Sequence, residues 1–407
     1  MAEATRLRKR TIEDLDIAGR RVFIRVDFNV PIIDGKITDD TRIRGSLPTI
    51  RYALSRNATV ILASHLGRPG GHRCDALTLR PVAARLSELL NNPIKFAEET
   101  IGASAQRVIA DTKPGNVVLL ENLRFHKGEE TNAPEFAGAL ADLADIYVND
   151  AFGAAHRAHA STEGITQYFN EVGIGLLMAA ELNYLGRVLD DPGRPFVALI
   201  GGAKVSSKID VIHNLVERAD TLLIGGAMAY TFLKELGLPV GQSLVENELL
   251  ETARNIMSRV KTRDISFELP LDHVVTFKTD GSGAYEVLEV DNPAIGNRLG
   301  VDIGPKTVEH YSSILAGAST VVWNGPMGIF ETDVFANGTK GVATAVAAVS
   351  GTTIVGGGDS IAAIAELGIK DHISHISTGG GASLEFLGGR TLPGVAAIPD
   401  RLADKSV

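Results

Sequence analysis

A single cysteine, Cys74, stands in the 407-residue chain. A disulfide framework within the chain is therefore excluded, and a cysteine-based zinc site has no ligand set. Long apolar runs are also missing. No stretch of about 18 charge-poor apolar residues occurs, so no membrane span is expected. The opening MAEATRLRKR has no apolar segment behind its charges, so no secretory leader is expected. Positive charge is short too: the formal net charge is −9, which argues against a general nucleic-acid binder. Two nucleotide fingerprints are absent. There is no GxxxxGK[ST], and no GxGxxG follows the first apolar run. A cytoplasmic protein acting on small molecules is the simplest reading.

What is present is glycine and short apolar runs. Hydrophobic residues make up 44% and charged residues 22%, a globular composition. Forty-three glycines against 5% aromatics suggest many tight strand-to-helix turns. Apolar runs fall at 22–26, 59–63, 117–120, 145–148, 196–200, 221–224, 320–323, 352–355 and 375–377. Most are continuous rather than alternating, as in strands covered on both faces. Helix-like segments lie between many of them, for example at 82–90 and 247–260. This alternation predicts parallel sheets with helices on both sides. The chain is too long for one ordinary core, so two domains are expected. The turn-rich break Asp190-Asp191-Pro192-Gly193-Arg194-Pro195 is the natural divide, with a helix at 175–189 bridging the halves. Residues 265–290, with the turn Asp280-Gly281-Ser282-Gly283, read as a local antiparallel insertion.

In open α/β sheets, ligands bind beyond the carboxyl ends of the strands. In the first half, the segments that follow the runs are VDFNVP, SHLGRP, ENLRF and NDAFGAAHRAH. They carry Asp27, Asn29, His65, Arg68, Arg124 and Arg157, and Arg42 could join them from a helix start. Guanidinium groups grip phosphate and carboxylate in bidentate fashion. So many cations at one edge make sense around a multiply charged small anion. The stretch NDAFGAAHRAH also offers Asp150, His156 and His159 as metal ligands, but Arg157 would then sit beside the ion, so an anion seat suits it better. Asp150 is left either to orient one of these cations or to cap the turn.

In the second half, the strand-end segments are GGAKVSSK, GGAM, WNGPMGIFE, GGGDS and STGGGAS. Paired glycines let backbone N–H groups approach a phosphate. Lys204 and Lys208 are four apart, one helical turn, so on a helix they can point the same way. Gly357, Gly358, Asp359 and Ser360 precede a helical pattern whose start would attract phosphate oxygens. Asp359 is the candidate Mg²⁺ ligand, and Glu331 the acceptor for a ribose hydroxyl. Gly380 and Gly381 open another helix.

VDFNVP, SHLGRP, ENLRF, AHRAHAS, GGAKVSSK, WNGPMGIFE, GGGDS and STGGGAS, in this order and along essentially the whole chain, closely resemble the phosphoglycerate kinases of the bacterial type. The resemblance implies an α/β fold of two Rossmann-like three-layer domains joined by a helical hinge, with a cleft between them. Residues 1–178 would hold 3-phosphoglycerate and 196–392 the Mg-nucleotide. Residues 179–195 would form the hinge, and the tail 393–407 would return to the first domain. The triose seat would comprise Asp27, Phe28, Asn29, Arg42, His65, Leu66, Gly67, Arg68, Arg124 and Arg157. The ATP or ADP seat would comprise Gly202, Ala203, Lys208, Gly225, Gly226, Asn324, Pro326, Glu331, Gly357, Gly358, Asp359 and Ser360. Arg42, Lys204, Lys208, Gly380 and Gly381 would attend the transferring phosphoryl group. The implied reaction is reversible transfer between 1,3-bisphosphoglycerate and ADP in a glycolytic monomer, with small molecules as the only partners and neither nucleic acid nor membrane. Two other readings stay open on the residues alone: a two-domain NAD-type oxidoreductase, and a non-catalytic hinge protein that binds organic phosphates.

Overall fold

The structure, a computed structural model, describes residues 9–401. They form two compact units, one of residues up to Asn183 together with those from Thr391 on, the other Tyr184–Arg390. Each is built on a six-stranded parallel sheet.

In the first unit the strands lie in the order Ile94–Ala97, Val117–Leu120, Thr59–Ala63, Arg21–Arg25, Ile146–Asn149 and Val172–Ile174. The four inner strands are almost wholly buried, as their β-branched, uninterrupted sequences require. Two outer strands escaped the sequence reading. Ile94–Ala97 is a half-exposed edge strand with a lysine in it, and Val172–Ile174 is three residues long with a glycine at its centre. Helices cover the sheet through narrow apolar stripes. In Arg80–Leu90, Pro81 sits in the first turn, Val82, Ala83 and Leu86 face the core, and Asn91 closes the helix in the left-handed region.

The second unit repeats the plan, in the order Ser266–Glu268, Thr221–Ile224, Phe196–Ile200, Thr320–Asn324, Thr352–Gly356 and His375–Ile376. It also carries an antiparallel sheet in which Asp272–Thr276 lies between Tyr285–Glu289 and Leu299–Ile303. The expected insertion at 265–290 is thus corrected at both ends. Ser266–Glu268 joins the main sheet, parallel to Thr221–Leu223, and the third antiparallel strand lies further on. The Asp280 carboxylate accepts from the Ser282 amide at 2.9 Å and closes the expected turn.

Helix Leu176–Asp190 carries the chain from the first unit into the second. After Arg390 the chain is back in the first unit: Gly394 donates to Ala155 O at 2.9 Å and its carbonyl accepts from Asn149 Nδ2 at 3.1 Å. Residues 402–407 of the expected returning tail, and residues 1–8 of the basic start, lie outside the described residues. Among the described residues, no helix is long and apolar enough to cross a membrane.

Candidate active site

Each main sheet has a place at its centre where neighbouring strands send the chain in opposite directions. In the first it lies between Arg21–Arg25 and Ile146–Asn149, in the second between Phe196–Ile200 and Thr320–Asn324. Ligands of open α/β sheets gather outside the carboxyl ends of such strands, and the polar residues of both halves do so here.

In the first unit, Asp27, Phe28 and Asn29 leave the first strand. An Arg42 Nη donates to Asp27 Oδ2 at 3.2 Å and to Asn29 O at 3.1 Å. Asn29 Oδ1 in turn accepts from the Gly67 amide at 3.0 Å, and the Gly67 carbonyl accepts from Arg124 at 2.6 Å. One lattice of hydrogen bonds therefore ties three strand ends together. His65 and Leu66 are buried behind it, and Arg68 stands exposed just after Gly67. Burial, then Arg25, Arg124 and Arg42, hold His65 well below the ordinary imidazole range. It is a neutral ring. His159 is likewise pushed down to about 4, by burial first and then by Arg25, Arg124 and Arg157. Arg157 leans on His156, Nε to Nε2 at 3.1 Å.

Two members of this cluster escaped the sequence reading. Arg25 is 1% exposed. It donates to Ser161 Oγ at 2.7 Å, to the Val26 carbonyl, and to His65 Nδ1 at 3.2 Å. A guanidinium can only donate, so His65 Nδ1 accepts and its proton sits on Nε2. Beneath lies Glu129, fully buried and 3.9 Å from Arg25. Glu129 accepts from Ser161 twice, at 3.0 and 2.6 Å, which pins the AHRAHAS loop. The available signal was a charged residue inside an otherwise apolar strand run, a position where arginine needs a partner. Asp150 is not part of this cluster. Its carboxylate faces the start of helix Leu176–Asp190 and accepts from the Met178 amide at 3.1 Å. Neither role left open for it is the one observed, because it caps a helix further along the chain rather than its own turn.

In the second unit, three backbone turns pack against one another without side chains between them. The Gly202 amide donates to Pro326 O at 2.8 Å, the Gly226 amide to Met327 O at 3.0 Å, and the Met228 amide to Gly202 O at 3.0 Å. Gly226 has φ +68, and a Cβ there would lie 2.5 Å from Gly202 N. No other residue meets both conditions without strain. Gly225 is buried against Met327. Lys208 is buried, and its ammonium binds both the Asn324 side-chain oxygen and the Asn324 carbonyl. Burial pushes it down to about 8, opposed by Asp359. Lys204 departs from expectation. Residues 201–207 are a loop rather than a helical turn, Lys208 only caps the helix Ile209–Val216, and Lys204 is exposed. The two lysines therefore do not share a helix face.

Helix Gly358–Glu366 begins with Gly357 as its cap, so Gly358, Asp359 and Ser360 form its first turn. Ser360 Oγ accepts from the Gly325 amide at 2.9 Å, which joins that turn to the neighbouring strand end. Asp359 is exposed, and its carboxyl is raised by burial and by Glu331, against the pull of Lys208. Gly380 caps the helix Gly381–Leu387. A cavity of about 380 Å³ opens beside these turns. Its walls include Gly202, Ala203, Gly226, Pro326, Glu331 and Asp359.

A family model described as phosphoglycerate kinase matches residues 12–390. The chain is 54% identical to the phosphoglycerate kinase of Anaeromyxobacter dehalogenans over 394 residues, 96% of this chain and 99% of that one. It is 56% identical to that of Solibacter usitatus over 393 residues, 95% of this chain and 98% of that one. The chain belongs to the phosphoglycerate kinase family. Among solved structures, the phosphoglycerate kinase of Coxiella burnetii matches with a TM-score of 0.86 at 41% identity, covering 96% of this chain and 98% of that one. Membership over nearly the full length sets aside the oxidoreductase and the non-catalytic readings.

Proposed function

We infer that this chain catalyses reversible phosphoryl transfer between 1,3-bisphosphoglycerate and ADP, giving 3-phosphoglycerate and ATP. The observation that carries the reading is the pairing of full-length family membership with two chemically different seats, one guanidinium-lined and one glycine-lined, each at the reversal point of its own sheet.

The acceptor is a carboxylate, already a nucleophile at neutral pH, so no general base is needed. Catalysis then rests on positioning and on neutralising the charge of the moving group. In the triose seat, Arg42, Arg68, Arg124 and Arg157 hold phosphate and carboxylate oxygens. His65 is held neutral with its proton on Nε2, and it donates to substrate without adding charge. Asp27 and Asn29 fix Arg42 and can take the substrate hydroxyl. Phe28, Leu66 and Gly67 shape the wall around them.

In the nucleotide seat, Gly202, Ala203, Gly225, Gly226, Asn324 and Pro326 frame the nucleoside, and Glu331 accepts from the ribose. Gly357, Gly358 and Ser360 offer a helix start to the phosphates. Asp359 fits Mg²⁺ because it is an exposed carboxylate on that same first turn, and Mg²⁺ takes one or two carboxylates together with phosphate oxygens. Held there, the ion would supply positive charge to neutralise the phosphate oxygens. Lys208, released from Asn324, and Lys204 attend the phosphoryl oxygens, with the Gly380 and Gly381 amides beside them. Direct transfer needs the two seats to face each other with water excluded, and we place the hinge for that motion at 179–195. The single exposed, free cysteine, Cys74, suits the reducing cytoplasm where this chemistry belongs. A monomer suffices for this scheme.

The test is to mix the pure protein with Mg-ATP and 3-phosphoglycerate and follow ADP through a trapping enzyme. ADP formation that requires both substrates supports the reading, and none at all overturns it. Lys208→Ala is expected to lower turnover at least 100-fold while nucleotide affinity changes only a few-fold. Turnover retained within about two-fold would remove Lys208 from the transition state.

A further inference from the structure

Between the strand Thr59–Ala63 and the helix Arg80–Leu90 the chain makes only one short 3₁₀ turn, Asp75–Leu77. That connection is far longer than the usual ~4–6 residues, and it carries Arg68, exposed, near its start. A guanidinium on an unsupported loop of this kind is not held to the geometry that a substrate contact needs. The support comes from the neighbouring strand end, in the two residues after Val117–Leu120.

Asn122 is fully buried. Its Nδ2 donates to Leu66 O at 2.7 Å and to Leu77 O at 2.9 Å. Its Oδ1 accepts from the Leu66 amide at 3.2 Å and from the Arg124 amide at 3.1 Å. Both donors and both lone pairs of the side chain are thus engaged, all of them with backbone. The pair of bonds to Leu66 imitates a neighbouring strand, and the bond to Leu77 closes the loop at its far end. Glu121 completes the closure. Its Oε1 accepts from the Leu79 amide at 2.9 Å and the Asn122 amide at 2.7 Å, and its Oε2 from the Thr78 hydroxyl at 2.7 Å. The two ends of the loop touch directly, since a Cβ on Gly67 would lie 2.7 Å from Leu77 Cδ2. Further out, the Gly71 amide donates to Arg124 O at 3.1 Å. Loop closure alone would be met by the bonds to Leu66 and Leu77. The shared Oδ1 adds something else: it fixes the backbone that leads to Arg68 relative to that of Arg124.

We propose that Asn122 is a positioning residue of the triose seat, which sets Arg68 and Arg124 at the spacing of the anion they receive, and that Glu121 supports it by locking the loop exit. The proposal rests on the reading of these arginines as the triose seat.

Steady-state kinetics of wild type, Asn122→Ser, Arg68→Ala and the double variant test it. Arg68→Ala checks the seat first: an unchanged KM for 3-phosphoglycerate refutes the seat, and the proposal falls with it. Asn122→Ser is expected to raise the KM for 3-phosphoglycerate about ten-fold or more, while the KM for Mg-ATP stays within about two-fold. On the Arg68→Ala background that rise should shrink to about three-fold or less, because one of the two arginines it places is gone. Equal rises on both backgrounds, no rise, or KM values for both substrates that climb together mark a merely structural residue and overturn the proposal. A second variant covers an Asn122→Ser protein that fails to fold. Thr78→Val keeps the shape of a half-buried side chain and removes the hydroxyl that binds Glu121. It should raise the KM for 3-phosphoglycerate about two- to three-fold in the otherwise wild-type protein and not at all beside Arg68→Ala. No rise, or the same rise on both backgrounds, also overturns the proposal.

Discussion

Replacing Asp150 by asparagine should remove a pH dependence of stability that the fold builds in. Asp150 is fully buried at the end of the strand Ile146–Asn149. Its Oδ1 accepts from the Met178 amide at 3.1 Å, and the nearby Thr49 hydroxyl and Leu177 amide also pull its pKa down. Oδ2 meets no partner. Burial dominates these bonds and lifts the carboxyl to about 7, against about 3.9 in the unfolded chain. A folded pKa above the unfolded one means that the native state binds the extra proton. The stabilisation is therefore complete below about pH 4 and is lost as pH rises through about 7. Each unit is worth about 1.4 kcal/mol, so the interval from about pH 5 to about pH 8 costs the wild type roughly 2.5 kcal/mol from this group. Asparagine keeps a carbonyl for Met178 and cannot ionise. Its amide at the Oδ2 position has a cost of its own, but one that does not vary with pH. Urea unfolding of both proteins at several pH values isolates the difference. The wild type should lose roughly 2.5 kcal/mol relative to Asp150→Asn between those limits, or about 5–10 °C of Tm for a unit of this size. Parallel profiles, or a wild type that gains with pH, would refute the assignment.

Lys208 is lowered to about 8 by burial, so kcat/KM for Mg-ATP should fall about tenfold per pH unit above about pH 8 as the free enzyme loses the ammonium. Lys208→Arg should abolish that limb whatever its absolute rate. The same burial opposes folding at neutral pH, because a depressed lysine contributes stability only above its unfolded pKa and loses it as pH falls through about 8. Lys208→Met should thus raise unfolding stability at about pH 7 by up to about 3 kcal/mol while abolishing turnover. Gly226→Ala combines a left-handed φ with a Cβ 2.5 Å from a backbone nitrogen. Thermal unfolding should show a loss of about 2–4 kcal/mol, and nucleotide affinity should fall with it.

The parts of this fold that were legible are those where one physical demand writes a local pattern. A strand covered on both faces must be apolar throughout, and 59–63, 117–120, 196–200 and 221–224 were found to the residue. A polar cluster after such a strand marks the ligand edge, so the arginines and glycine turns could be placed before any coordinates. Illegible were the residues whose partner lies far along the chain. Asp150 meets the start of Leu176–Asp190, Asp272 accepts from the Thr307 amide at 2.8 Å, and Asp302 accepts from the Gly338 amide at 2.7 Å. Each is a buried carboxylate at the end of a helix to which it does not belong. Helix capping is read from sequence only when the cap is the preceding residue. Here the strand supplies it from elsewhere, and sequence spacing carries no trace.

The same limit explains the error over Lys204 and Lys208. Spacing of four implies a shared face only inside a helix, and nothing within 201–207 reports that the chain stays irregular there. What decides it is tertiary. Gly202 is tied to Pro326 and Met228, and Ser206 donates its amide to Glu246 at 3.0 Å. A helix beginning at Gly202 would have to break those bonds. The irregular loop is therefore a consequence of the strand-end lattice that builds the cavity wall. It leaves Lys208 buried against Asn324 and Lys204 in solvent, two lysines of one motif with different surroundings. A motif reading treats them as a pair, whereas burial sets Lys208 apart, and that burial puts the titration of Lys208 into the pH–rate profile.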